Sequence, residues 1–136
     1  MSDAVNLRDK IKGFKVLFVD DEEEIHKGTG LFLSKFFDDV IICVNGEDGL
    51  ETFKNTQEDS SKKNFDVIIT DIKMPKMDGI SMVKEIKNIR KDIFVVFITA
   101  SRGSQKFDDN LSDIYIKKPL SYNDIILIMK QISELK

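Results

Sequence analysis

The sequence predicts a three-layer, doubly wound α/β domain built on five parallel strands. Five short runs, at 15–19, 40–44, 66–70, 94–99 and 114–116, are rich in Val, Ile and Phe and mostly apolar on both parities, as strands covered on both faces are. Longer segments with helical spacing separate them, and a β/α alternation with short connections implies right-handed crossovers with helices on both faces of the sheet. The length of 136 residues with 41% hydrophobic content supports one domain with a proper core. There is no internal repeat and no Pro/Gly-rich linker to divide it.

The elements follow in chain order. Residues 1–14 alternate charge with isolated apolar positions and are read as an N-terminal extension to a domain spanning 15–136. After the first strand, Ile25, Leu31, Phe32 and Phe36 mark the first helix of the domain. Leu50 and Phe53 mark the second, and Ile80, Val83, Ile86 and Ile89 the third. The polar stretch 55–64 reads as a solvated loop. In 102–113 only Phe107 and Leu111 are apolar, so a helix there is expected to be short and poorly anchored. Ser121 to Asp124 is a capping-box variant with Asp in place of Glu or Gln, and Ile125, Ile128, Met129, Ile132 and Leu135 form one stripe of a closing helix.

Composition excludes several function classes. With 21 basic and 24 acidic residues the formal net charge is -3, and no run of like charge suggests direct nucleic-acid binding or a polybasic membrane patch. Cys43 is the only cysteine; lying within an apolar strand, it reads as a small buried hydrophobe in a reducing, cytoplasmic setting. Neither a signal-peptide core nor an 18-residue apolar stretch is present, so neither export nor a membrane span is expected.

The chemistry-bearing residues sit at strand ends. Asp20 and Asp21 follow the first strand, Asp71 the third, Thr99 closes the fourth and Lys118 follows the fifth. In a parallel sheet these ends share one edge, so three carboxylates, a hydroxyl and an ammonium converge there. Clustered carboxylates repel one another unless a cation neutralises them, and Mg²⁺ suits a few carboxylate oxygens plus water. With that charge neutralised, a carboxylate can act as a nucleophile towards phosphorus. Taken singly, each residue has a plainer reading as helix cap, turn, strand residue or surface charge. The combination is what is specific.

Those motifs, Val19-Asp20-Asp21-Glu22, Asp71-Ile-Lys-Met-Pro75-Lys-Met-Asp78-Gly79, Thr99-Ala100 and Lys118-Pro119, resemble the receiver domain of two-component response regulators, over nearly the whole chain. The resemblance implies a flavodoxin-like fold with strand order 2-1-3-4-5, similar to the single-domain chemotaxis regulator. It implies Asp71 as the phosphorylated residue and Asp20, Asp21, Asp71 and the backbone carbonyl of Lys73 as ligands of Mg²⁺. Thr99 and Lys118 would hold phosphoryl oxygens, Thr99 and Tyr115 would form the switch, and the Lys118-Pro119 bond would be cis. The implied partners are a histidine kinase or histidine phosphotransfer protein and a downstream protein target.

Three features depart from that pattern or bear on it. The Thr99 to Lys118 spacing is about one helical turn shorter than the family's, which predicts a short, irregular fourth helix. An insertion falls in 55–64, at the end of the sheet away from the site. Lys73 and Ser101 flank the direction from which water must attack, and neither orients water well, which predicts slow self-hydrolysis; alternatively Lys73 faces solvent or pairs with Glu22. His26, alone on the first helix of the domain, reads as a surface residue and not as a phosphohistidine. Met74, Met77 and Met82 read as gap-filling rather than as a partner surface. The competing functions are a phosphohydrolase of the haloacid-dehalogenase type, which needs Asp-x-Asp after the first strand, and a phosphorylation-independent binding module.

Overall fold

A computed structural model describes residues 3–100 and 111–135, with the side chains of 3–5 and 24–26 excepted. Helix α1 spans Asp3–Lys10 and precedes the alternating unit β1 (Lys15–Val19), α2 (Glu23–Ser34), β2 (Asp39–Cys43), α3 (Gly46–Glu58), β3 (Val67–Asp71), α4 (Gly79–Ile89) and β4 (Phe94–Thr99). Strand β5 (Ile114–Lys117) and helix α5 (Tyr122–Ser133) complete it. The five strands form one parallel sheet in the order β2-β1-β3-β4-β5. The fold class and strand order are those expected, with β2 and β3 displaced by one residue from the predicted runs.

Strand alternation divides the core into two layers. Val16, Phe18, Val67, Ile69, Val96 and Ile98 face one side and meet Leu33 of α2 and Ile125, Ile128, Met129 and Ile132 of α5. Leu17, Val19, Ile68, Val95 and Phe97 face the other and meet Phe53 of α3 and Met82, Val83 and Ile86 of α4. The central strands β1, β3 and β4 are therefore apolar on both parities, as burial on both faces demands.

Caps fix where the helices begin. Asn45, Asp78 and Ser121 each accept a hydrogen bond from a backbone N–H of the first turn, for α3, α4 and α5 respectively. At α5 the Asp124 carboxylate reaches back to the Ser121 N–H, completing the capping box read from the sequence.

One expectation is corrected. The stretch 55–64 is not all loop: α3 runs through Glu58 because Thr56 is buried one turn beyond Phe53, so the apolar face needs that extra turn. The N-terminal extension contributes to the core. Leu7, Ile11 and Phe14 are buried and join the α2/α5 layer, and α1 lies against α5. The expected irregular helix in 102–113 falls largely on 101–110, outside the described residues. Among the described residues no helix is long and apolar enough to cross a membrane.

Candidate functional site

The site lies where β1 and β3 end side by side at the centre of the sheet, with α2 leaving one way and α4 the other. Such a divergence opens a crevice at the C-terminal strand edge. Asp20 is 1% exposed; its N–H donates to the Cys43 carbonyl at 3.1 Å, and its Oδ1 accepts the Glu22 N–H at 2.8 Å. That second bond turns the chain into α2 and leaves Oδ2 facing the crevice. Asp71 closes β3, and its Oδ1 accepts the Ile72 N–H at 2.8 Å.

Lys118 stands among the carboxylates. Its Nζ lies 2.9 Å from Asp71 Oδ2, 3.2 Å from Asp20 Oδ2 and 3.0 Å from Glu22 Oε1. The Lys118 N–H donates to the Thr99 carbonyl at 2.9 Å, which ties the fifth strand end to the fourth. The Lys118-Pro119 bond is cis.

Burial and charge oppose one another here. Burial raises the Asp71 pKa above the ordinary carboxylate value, and the neighbouring Asp20 charge adds to the rise, against the lowering effect of Lys118 and the Ile72 N–H. For Lys118, burial works against the charge, but hydrogen bonds to Asp71 and Glu22 outweigh it and lift the pKa above the ordinary lysine value. The ammonium is thus held charged, as the internal counter-ion of the acidic cluster.

Oxygen atoms of Asp20, Asp21 and Asp71 lie within 4.8 Å of one another, with Asp21 exposed and the other two buried. An all-carboxylate set of hard oxygen donors, one of them open to water, fits a Mg²⁺ ion. A cavity of about 460 Å³ is lined by Asp21, Glu22, Asp71, Lys73, Thr99, Ala100 and Lys118, so Asp21, Asp71, Thr99 and Lys118 share one space, and Asp20 borders it through its contact with Lys118.

The remaining expectations resolve unevenly. The Lys73 side chain is exposed, and Glu22 is paired by Lys118 instead. Tyr115 is 37% exposed on β5, with its ring centroid 5.6 Å from that of Phe97. Met82 is fully buried and Met74 and Met77 pack against the α3/α4 layer, so all three fill gaps. His26 lies within α2, its side chain outside the described residues, as is all of Ser101. Sequence reasoning missed Glu22 as a partner of Lys118; its signal is an acid two residues beyond Asp20, within reach of the same crevice.

The response regulator receiver domain family matches residues 16–130. The sensory transduction protein LytT of Oceanobacillus iheyensis is 32% identical over 120 residues, which cover 85% of this chain and 47% of that protein. The chain therefore spans about half the length of that relative. Among solved structures, the CheX-CheY-BeF3-Mg complex from Borrelia burgdorferi aligns with a TM-score of 0.70 at 30% identity, covering 94% of this chain and 93% of that one. The response regulator TrrA of Thermotoga maritima, in complex with the histidine kinase ThkA, aligns with a TM-score of 0.70 at 25% identity, covering 88% and 97%. Sheet order, strand-end carboxylates and the match over 16–130 agree, and the chain belongs to the receiver domain family of two-component response regulators.

Proposed function

We propose that this receiver accepts a phosphoryl group on Asp71 from a phosphohistidine of a histidine kinase or phosphotransfer protein, and that the modified form changes its affinity for a downstream protein. The observation that carries the reading is the pairing of buried Asp71 with Lys118 at 2.9 Å, beside Asp20 and Asp21. An Asp71 oxygen attacks phosphorus, the P–N bond breaks, and the imidazole nitrogen that leaves takes up a proton. The product is an acyl phosphate on Asp71.

Mg²⁺, held by Asp20, Asp21, Asp71 and the Lys73 carbonyl, would supply positive charge against the incoming phosphoryl oxygens. This chain's own groups do the rest. Lys118 exchanges its carboxylate contacts for a phosphoryl oxygen, and the Thr99 hydroxyl, lining the same cavity, holds another. Withdrawal of Thr99 towards the phosphoryl group makes room for Tyr115 to move inward, so a local charge change reshapes the β4/β5 surface. The module acts on itself, gaining and losing one phosphoryl group, in a cytoplasmic signalling pathway without direct nucleic-acid or membrane contact by this chain.

Incubation with acetyl phosphate and Mg²⁺ is expected to add one phosphoryl group per chain by intact mass, and Asp71→Asn is expected to add none. Labelling that persists in Asp71→Asn, or repeated turnover of a generic phosphomonoester, overturns the proposal.

A further inference from the structure

Glu22 stands at the N-cap of α2, yet its side chain makes no capping hydrogen bond. At the same position of α3, α4 and α5, Asn45, Asp78 and Ser121 each accept one from the first turn. Short polar side chains are favoured there because they reach those N–H groups. The longer Glu22 side chain goes elsewhere: its Oε1 accepts from Lys118 Nζ at 3.0 Å. Asp20 Oδ1 accepts the Glu22 N–H at 2.8 Å, which fixes the main chain from which that side chain starts.

The three carboxylate partners of Lys118 are unequal. Asp20 and Asp71 belong, with Asp21, to the oxygen cluster suited to a divalent cation, and Glu22 lies outside it. The Glu22 side chain is 58% exposed, against 1% for Asp20 and 9% for Asp71. A cation held by Asp20 and Asp71 takes over the charge that the ammonium neutralises there, and the two positive charges repel. Glu22 is then the partner left to the ammonium. The surroundings offer no substitute. Behind Lys118 lies a second cavity of about 370 Å³, walled mainly by Phe18, Ile98, Pro119 and Leu120, whose lining holds no anionic group besides Asp20 and Glu22. In front lies the cavity of Asp71 and Thr99, and Glu22 and Lys118 form part of its wall. An ammonium resting on Glu22 therefore stays at the edge of the space that a phosphoryl group would enter.

We propose that Glu22 is a positioning residue: it receives the Lys118 ammonium when Asp20 and Asp71 turn to the cation, so that cation and ammonium are held in the site together. The role rests on the proposed function, with Asp71 as acceptor beside a Mg²⁺ cluster. Glu22 acts through Lys118 and touches neither the cation nor the phosphoryl group. Without its carboxylate the ammonium stays on Asp20 and Asp71 and opposes the cation, and once displaced it leaves the cavity edge for solvent.

Calorimetric titration of the full chain with Mg²⁺ is the first test, because it needs no phosphoryl transfer. Glu22→Gln is expected to weaken Mg²⁺ binding about threefold to fivefold, and Glu22→Asp to weaken it as much. Asp keeps the charge but is shorter and a better N-cap, so Glu22→Asp is expected to melt at a higher temperature than the wild type while losing the contact with Lys118. An effect of charge alone leaves Mg²⁺ binding intact in that variant, and an effect of misfolding lowers its melting temperature. In Lys118→Met, adding Glu22→Gln is expected to change the Mg²⁺ affinity by less than about twofold, since the group through which Glu22 acts is gone. At saturating Mg²⁺, labelling by acetyl phosphate is expected to slow about threefold to fivefold in both Glu22→Gln and Glu22→Asp. Wild-type Mg²⁺ affinity in Glu22→Gln or in Glu22→Asp, or an undiminished effect of Glu22→Gln in Lys118→Met, overturns the proposal. A wild-type chain that takes no label overturns Asp71 as acceptor instead, and the Mg²⁺ titrations still decide the role of Glu22.

Discussion

Gly79 and Asp71 meet backbone to backbone: a Cβ at position 79 would collide with the Asp71 carbonyl oxygen, and the Gly79 N–H donates to the Ile72 carbonyl at 2.7 Å. The loop between β3 and α4 therefore closes directly onto the backbone of the proposed acceptor, and the obstacle to a side chain is rigid backbone. Gly79→Ala is expected to cost about 1–3 kcal/mol of stability and to slow labelling by acetyl phosphate, because the Asp71 carboxylate moves with its main chain. Gly28 supplies the control, since a Cβ there meets nothing within 4 Å. Gly28→Ala, inside α2, is expected to raise stability by about 0.5–1 kcal/mol and leave labelling unchanged. Urea titration and intact-mass kinetics of both variants check this pair of outcomes.

Cys43 gives a pH-dependent signature away from the site. Burial raises its thiol pKa, with the hydrogen bond to Thr52 opposing and the Asp48 charge adding to the rise. A folded-state pKa above the unfolded one favours the native state while the thiol is neutral. Its contribution is complete below the ordinary thiol value and is lost as pH rises through the folded value. Between pH 7 and 10 the wild-type chain is expected to lose more stability than Cys43→Ala does, by thermal unfolding. At pH 8 iodoacetamide is expected to label the native thiol roughly 100-fold or more slowly than in urea.

The elements that the sequence made legible are those whose signal is local. Val16 to Val19 read as a strand buried on both faces because no residue there is polar, and Ser121 to Asp124 read as a helix start because the cap is four residues long. Asp20, Asp71, Thr99 and Lys118 could be grouped because parallel strands bring their C-terminal ends to one edge. What stayed hidden depends on contacts distant in sequence. The contact of Lys118 with Glu22 spans 96 positions and leaves no local mark in the sequence. The last turn of α3 reads as loop because its buried anchor, Thr56, is polar. Helix α1 has no local signal because Leu7, Ile11 and Phe14 find their partners in the α2/α5 layer, distant in sequence.

That late packing makes α1 part of the domain's stability. Ile11 is 2% exposed and Leu7 7%, both within the α2/α5 layer. Ile11→Ala is expected to cost about 2–4 kcal/mol, and Arg8→Ala, which breaks only the exposed pair with Asp38, less than about 0.5 kcal/mol. Denaturant midpoints of the two variants separate burial from charge. Equal, small losses would mean that α1 merely rests on the surface.

Lys118 occupies the carboxylates that the proposed Mg²⁺ would need. The ammonium contacts Asp20 Oδ2 and Asp71 Oδ2, and these two residues with Asp21 form the cluster suited to a divalent cation. Removing the ammonium leaves two buried carboxylates without their counter-ion, so Lys118→Met is expected to destabilise the metal-free chain by about 2–4 kcal/mol. A cation that enters the cluster restores the balance. Added Mg²⁺ therefore is expected to raise the melting temperature of Lys118→Met by more than that of the wild type, whose cluster is already neutralised in part. At a hundredfold excess over its dissociation constant the ion adds about 2.7 kcal/mol to either protein, so the difference appears as tighter Mg²⁺ binding by Lys118→Met in calorimetry. Labelling by acetyl phosphate moves the other way and falls in the variant, because no ammonium remains to take a phosphoryl oxygen. Equal Mg²⁺ affinities in the two proteins would show that the lysine does not occupy the cation's place.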